Sequence, residues 1–320
     1  MSDGIFTAEV SRREAMKTAM KAGAYAAPVI LAASVPGAVS AANAISFGGG
    51  PPTITVVSPP GGPTTGGTVV TLTGTNFCAG ATITVNGVTA TNVTVVNSTT
   101  ITFTTPAGAQ GAATITVTCP NGTGTGTFTY RTITVTGEAY TANASVLGVL
   151  SVSKVGDVIL PPGGSNNAVA VNLLPTLSLT AGANSALDIS TPGNGTAQSR
   201  ATVATASLLT GALTATALSA QTTSTSNGIT ASSTPVFSGI VTIGGNTFNL
   251  ATIAQNFTVP VALLPVGVAS VTLNRVVTNT TGANSNQTVT ALSVALTGLP
   301  LLGGATTVDI AVATSGVTST

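Results

Sequence analysis

The sequence predicts an all-β chain, with a β-sandwich of immunoglobulin size followed by a second, larger all-β domain. Three observations carry that prediction. Short runs alternate polar and apolar residues with period two, as in Thr82-Ile83-Thr84-Val85 and Thr114-Ile115-Thr116-Val117-Thr118, the pattern of a strand with one wet and one dry face. Thr and Val dominate those runs, and both are β-branched and favour extended backbone. Turn residues such as Gly66-Gly67, Asn86-Gly87 and Asn121-Gly122 separate the runs, with the spacing of about 8–12 residues seen in sandwiches and barrels.

Charge narrows the setting. The 320 residues include 8 Lys and Arg, 7 Asp and Glu and no His. Half of the basic residues, Arg12, Arg13, Lys17 and Lys21, sit near the N-terminus. Beyond residue 44 the charged residues are Arg131, Lys154, Arg200, Arg275, Glu138, Asp157, Asp188 and Asp309. A surface so sparse and balanced cannot steer nucleic acid, which needs clustered Lys and Arg. It has no polybasic patch for anionic lipid either. Soluble globular chains carry about 25% charged residues; this one carries 5%. Its polar surface must come from Thr, Ser and Asn, which suits the outside of a cell.

The N-terminal segment reads as an address. Ser11-Arg12-Arg13-Glu14-Ala15-Met16-Lys17 precedes a weakly apolar, Ala-rich stretch over 22–34, and small-x-small sites end at Ala41 and Ala44. Charged, apolar and small-residue regions in that order are the signature of a secretory signal. The run resembles a twin-arginine export signal, with Ala15 and Met16 in place of its usual Phe and Leu. Pro28 and Pro36 interrupt the stretch, and it falls short of the ~20 apolar residues a membrane span needs. Residues 1–44 are therefore expected to be a signal peptide, cleaved after Ala41 or Ala44, with 45–51 a short linker. No membrane span is expected after signal removal. No LPxTG-type sorting motif lies near the C-terminus, so no covalent anchor is expected.

Residues 52–130 hold seven short alternating runs with turns between them. Two pieces are more specific than the period: Gly74-Thr75-Asn76-Phe77 and Thr105-Pro106-Ala107-Gly108. They follow a strand, Ser-Pro turn and Gly-Gly turn, and a strand–Asn-Gly–strand stretch, respectively. On these the segment resembles the IPT/TIG family of immunoglobulin-like domains. The resemblance implies a β-sandwich that serves as a spacer or interaction module in surface proteins. The family's DNA-binding members are a poor guide, since 52–130 contains no Lys, Arg, Asp or Glu. Cys78 and Cys119 are the two cysteines of the chain. An even count in an exported protein predicts a disulfide. A redox pair or metal site is not expected, because C-x-x-C spacing and His are both missing.

Residues 131–320 continue the Thr/Ala/Val/Leu strand style. The stretch 201–218 allows a helix on its Ala and Leu content, but Thr, Val and Gly interrupt it, and a strand pair is expected. Leu208–Ala220 echoes 301–313, each reading Leu-Leu-x-Gly-Ala-x-Thr before a strand-like tail; these are expected as two similar hairpins. The residues 271–317, with the earlier Ala204–Leu213 block, resemble the secreted bacterial domains called choice-of-anchor P. That resemblance implies an extracellular all-β region and carries no activity.

Chemistry is scarce. The absence of His removes His-based triads and most zinc sites. Glu138 and Asp157 could meet as a carboxylate pair, and Lys154 lies near Ser151 and Ser153 as a Ser–Lys dyad would require; isolated surface charges are the plainer reading of both. Calcium needs clustered oxygen ligands, and no Asp cluster exists. No metal, cofactor or catalytic residue is expected, and the chain is read as a non-enzyme. Sugar sites usually stack an aromatic, which singles out Tyr130 and Tyr140 as possible binding residues, with packing at the domain boundary as the alternative. The expected function is that of a secreted or cell-surface structural and adhesive protein that associates with itself. The alternative is a module binding a surface glycan or protein.

Overall fold

The structure is a computed structural model. It describes residues 49–146, 150–161, 163–168, 171–173, 177–180, 182–260, 262, 264, 268–296 and 306–320. The expected signal peptide, with Arg12, Arg13, Lys17, Ala41 and Ala44, lies outside the described residues.

The first sandwich is built from β1 (Thr53–Ser58), β2 (Gly61–Pro63), β3 (Val69–Thr75), β4 (Thr82–Val85), β5 (Val88–Thr89), β6 (Thr91–Asn97), β7 (Thr100–Thr104), β8 (Gly111–Cys119) and β9 (Gly122–Arg131). One sheet runs β1-β3-β7-β6 and the other β2-β9-β8-β4-β5. The period-two pattern explains the packing. Val70 pairs with Phe103 and Leu72 with Ile101, so all four turn to the same interior and are fully buried. Ile83 and Val117 do the same from the facing sheet. Each such side chain contributes roughly 1.5–3 kcal/mol by leaving water.

The two specific sequence pieces have steric causes. Gly74 leaves no room for a Cβ, which would lie 2.8 Å from the Phe77 ring. Asn76 takes a left-handed φ of 59°, a conformation Asn tolerates better than most residues, and this turn drives Phe77 into the core. Gly108 likewise lies flat against the Tyr130 ring.

Thr132 alone separates β9 from β10 (Ile133–Val146). The second sandwich continues with β11 (Leu150–Val155), β12 (Val158–Leu160), β13 (Gly164–Ala168), β14 (Val171–Leu173), β15 (Leu177–Thr180), β16 (Gly182–Asp188), β17 (Gly195–Leu208), β18 (Leu213–Ser226), β19 (Ala231–Ile243), β20 (Asn246–Asn249), β21 (Phe257–Thr258), β22 (Val268–Thr281), β23 (Asn284–Leu296) and β24 (Thr306–Ser319). One sheet runs β11-β10-β24-β23-β22-β21, with β12 also on β10; the other runs β13-β16-β17-β18-β19-β20, with β15 on β17 and β14 on β15. The stretch 201–218 is the strand pair β17–β18, joined through a single 3-10 turn at Leu209–Gly211. Of the two echoed segments, the first forms the β17–β18 turn, and the tail of the second opens β24; residues 301–305 lie outside the described residues.

A feature the simple alternation hides divides this interior. Ala217, Asn274 and Ala311 have left-handed φ values of 51°, 52° and 52°. Pairing skips a residue on each side of them; Ala142 pairs with Ile310, then Tyr140 with Val312. The register is kept across the skipped pair, and the inward phase of β24 changes by one residue at Ala311. β24 therefore buries Val308 and Ile310 before Ala311, and Ala313, Ser315 and Val317 after it. On one side of these left-handed residues the core is Leu208, Leu213, Ile243, Val294 and Ile310. On the other it is largely hydroxyl and amide: Ser199, Thr222, Ser224, Ser226, Ser285, Gln287 and Ser315, all buried. Buried polar groups need partners, and most of these find one another. Thr222 donates to Gln287 Oε1 at 2.7 Å, Ser224 and Ser315 lie 2.7 Å apart, and Gln287 donates to Thr278 at 2.8 Å.

Candidate functional site

Cys78 and Cys119 form the expected disulfide, with their Cα atoms 5.9 Å apart. It ties the turn after β3 to the end of β8 and so links one sheet to the other.

Tyr130 and Tyr140 offer no exposed aromatic patch; the structure places both rings inside. Tyr130 is 2% exposed. Its ring meets Phe128 edge-on at 5.1 Å and its hydroxyl donates to the Pro106 carbonyl at 2.6 Å. Burial raises its pKa. Tyr140 is 9% exposed, and burial, with the nearby Asp309 and Glu138 carboxylates, pushes its pKa up to about 12. Neither can stack on a sugar. Composition reveals that the chain has few aromatics, but not which way they face.

Around Tyr140 the structure gathers the residues an enzyme reading would need. Lys154 and Glu138 form an ion pair across β11 and β10, and the Lys154 ammonium stands 5.5 Å from the Tyr140 ring centroid, a cation–π distance. Asp157 lies in the turn between β11 and β12, and its pKa is raised by burial and by the Glu138 carboxylate. Asp309, opposite Asn143, accepts from Ser293 at 2.5 Å. Half of the charged residues beyond position 44 thus collect at one sheet edge. The arrangement pairs charges and pins β11 and β12 onto β10. The Lys154 ammonium is already engaged by Glu138, and the side chains of Ser151 and Ser153 lie outside the described residues. Among the described residues no group of three His, Cys, Asp or Glu could hold a metal ion. No helix among them is long and apolar enough to cross a membrane.

A cleft of about 360 Å³ opens where the two sandwiches meet. It is lined by Thr64 and Thr65 of the first sandwich, by Ile133, and by Asp188, Pro192 and Asn194 of the β16–β17 hairpin. The junction behind it is tight. Thr132 and Thr320 exchange backbone hydrogen bonds at 3.1 and 3.0 Å. Gly67 has φ +84°, and a Cβ there would lie 2.6 Å from the Pro192 Cβ, so only glycine allows this approach.

The outer faces of the first sandwich carry ranks of threonine. On one sheet Thr82, Thr118 and Thr123 are directly opposite one another, as are Thr89, Thr84, Thr116 and Thr125 in the next rank and Thr114 with Thr127 in a third. On the other, Thr73 faces Thr100, and Thr71, Thr102 and Thr94 form a rank. Such neighbours stand about 4.8 Å apart across strands and about 6.7 Å along them. No charge lies among these ranks; Arg131 ends β9 beyond them.

Residues 52–130 match the IPT/TIG domain. No curated protein matches the chain. Among solved structures, an auxiliary nutrient binding protein from Bacteroides ovatus ATCC 8483 is 22% identical over 31% of this chain and 24% of its own, with a TM-score of 0.21. SGBP-B from a complex xyloglucan utilization locus in Bacteroides uniformis is 22% identical over 48% of this chain and 40% of its own, with a TM-score of 0.23. An auxiliary nutrient binding protein from Bacteroides thetaiotaomicron VPI-5482 is 9% identical over 83% of this chain and 98% of its own, with a TM-score of 0.24. The chain thus spans less than half the length of the first two. At TM-scores of this size the likeness carries no ligand or partner across.

Proposed function

We propose that this protein is an exported, non-catalytic structural module of the cell surface or extracellular matrix, in which the IPT/TIG domain supplies contact faces that adhere to copies of the chain. In this reading residues 1–44 are a twin-arginine-type signal, and 131–320 is a choice-of-anchor P-like all-β domain that holds the IPT/TIG domain at a set angle. The observation that carries it is the set of uncharged, in-register threonine ranks on both sheets of the IPT/TIG domain. Without like charges, copies do not repel one another, and regular hydroxyl and methyl ranks can meet in register. The single-residue connection at Thr132 and its paired hydrogen bonds to Thr320 keep the two sandwiches from swivelling, as a spacer requires. Light scattering over a wide concentration range tests it: mass should rise with concentration, and a constant monomer mass excludes self-association.

A second reading, a module that binds a surface glycan or protein, is favoured by the cleft at the sandwich junction, the usual place for ligand sites in multi-domain chains.

A further inference from the structure

We propose that the junction cleft binds a neutral carbohydrate of one or two rings, held by its adjacent hydroxyls. This rests on the glycan-binding reading above and assigns it a place and a ligand chemistry.

Size and position come first. Ligand pockets run from about 300 to 1,000 Å³ and favour domain interfaces; this cleft measures about 360 Å³ and lies between the two sandwiches. Its walls are held in place on both sides. The Thr64 amide donates to the Arg131 carbonyl at 2.9 Å. In the opposite hairpin, Thr191 and Asn194 exchange backbone hydrogen bonds at 3.0 and 2.9 Å. A site that does not have to order itself loses less on binding.

The lining then selects the ligand. Asp188 uses Oδ1 to accept from the Ser190 amide at 2.9 Å and from the Ser190 hydroxyl. Among the described residues its other carboxylate oxygen has no hydrogen-bond partner, and neither do the Thr64 and Thr65 hydroxyls or the Asn194 side-chain amide. Those groups together accept and donate, as adjacent sugar hydroxyls require. Ile133 and Pro192 offer C–H surface to a ring face. Among the described residues the lining holds one carboxylate and no cation, which disfavours phosphates and uronates. With no aromatic to stack on, binding rests on hydrogen bonds alone and is weak.

The test is a calorimetric and saturation-transfer titration of the full chain with neutral mono- and disaccharides, alongside a lysine-containing peptide. Asp188→Asn keeps an oxygen for Ser190 while removing the charge, and Thr64→Val keeps the shape while removing a hydroxyl. The expected result is a neutral saccharide that binds, with affinity falling about tenfold or more in Asp188→Asn and by a smaller factor in Thr64→Val, at unchanged melting temperature. A saccharide that binds both variants as tightly as the parent overturns the cleft assignment and leaves the glycan reading standing. If no saccharide binds, both fall. If the peptide binds in place of every sugar, the cleft is a cation site and the carbohydrate proposal is wrong.

Discussion

Thr222 and Ser315 stand hydroxyl to hydroxyl, 3.0 Å apart, across the centre of the second sandwich, although 93 residues separate them in the chain. They sit at matching places after the two echoed segments, one in β18 and one in β24. Around them Ser224, Gln287 and Ser285 extend a hydrogen-bonded layer between the sheets. This half of the domain is held by polar pairing, where the other half is held by Leu, Ile and Val.

Removing a member of that layer should be expensive. Thr222→Val fills the same volume but leaves Gln287 and Ser315 short of a partner, and an orphaned buried group costs about 1–3 kcal/mol. Urea denaturation should show that loss. Thr125→Val, on an exposed rank of the first sandwich, should stay within about 0.5 kcal/mol of the parent. Equal effects would mean the buried layer is not a cooperative network.

The disulfide should matter more to the first sandwich than any one side chain. The Cys78–Cys119 link closes a 41-residue separation, which stabilises by roughly 3–4 kcal/mol in the chain-entropy model. Replacing both cysteines with alanine should lower the melting temperature, and a reducing agent should do the same to the parent but not to the variant.

Stability should also fall at both the acid-to-neutral and the alkaline crossing. Tyr140 has a folded pKa of about 12 against an ordinary 10.0, so the folded chain holds that proton more tightly than the unfolded chain. Its contribution is complete below pH 10 and is lost as pH rises toward about 12. Asp157 is also raised, from 3.8, by burial and Glu138. Its contribution is complete below 3.8 and lost as pH climbs through the higher folded value. Tyr140→Phe and Asp157→Asn should each flatten their own limb of the stability–pH curve and leave the other limb intact.

The junction offers a backbone test. Gly67→Ala combines a left-handed φ with a Cβ 2.6 Å from Pro192, and strained backbone costs of order 1–3 kcal/mol. Calorimetry should show the variant melting in two separated steps where the parent melts as one unit. A single unchanged transition would show that the two sandwiches are not coupled there.

These predictions divide by how visible their basis is in the sequence. The first sandwich is legible because its strands alternate without interruption, and because Gly74, Phe77 and Gly108 stand in short, recognisable turn pieces. The second is legible as β but not in its inward phase, since Ala217 and Ala311 take a left-handed backbone that nothing in an alanine announces. The Glu138–Lys154–Asp157 cluster can be guessed at, because β10, β11 and β12 are consecutive and antiparallel neighbours meet. The cleft cannot: Thr64, Ile133 and Asp188 come from three distant segments and meet only once both sandwiches are docked. Tyr130 and Tyr140 stand out by rarity alone, and rarity does not distinguish a surface ring from a buried one.

The central claim is that the threonine faces of the IPT/TIG domain bring copies of the chain together. Negative-stain imaging of the concentrated protein, beside a Thr116→Lys/Thr125→Lys variant, tests it most directly. Those two residues are adjacent in one rank, and paired like charges on each copy should repel. The account predicts ordered oligomers or filaments for the parent and separate particles for the variant. Parent particles that stay single, or assemblies that survive both lysines, would contradict it.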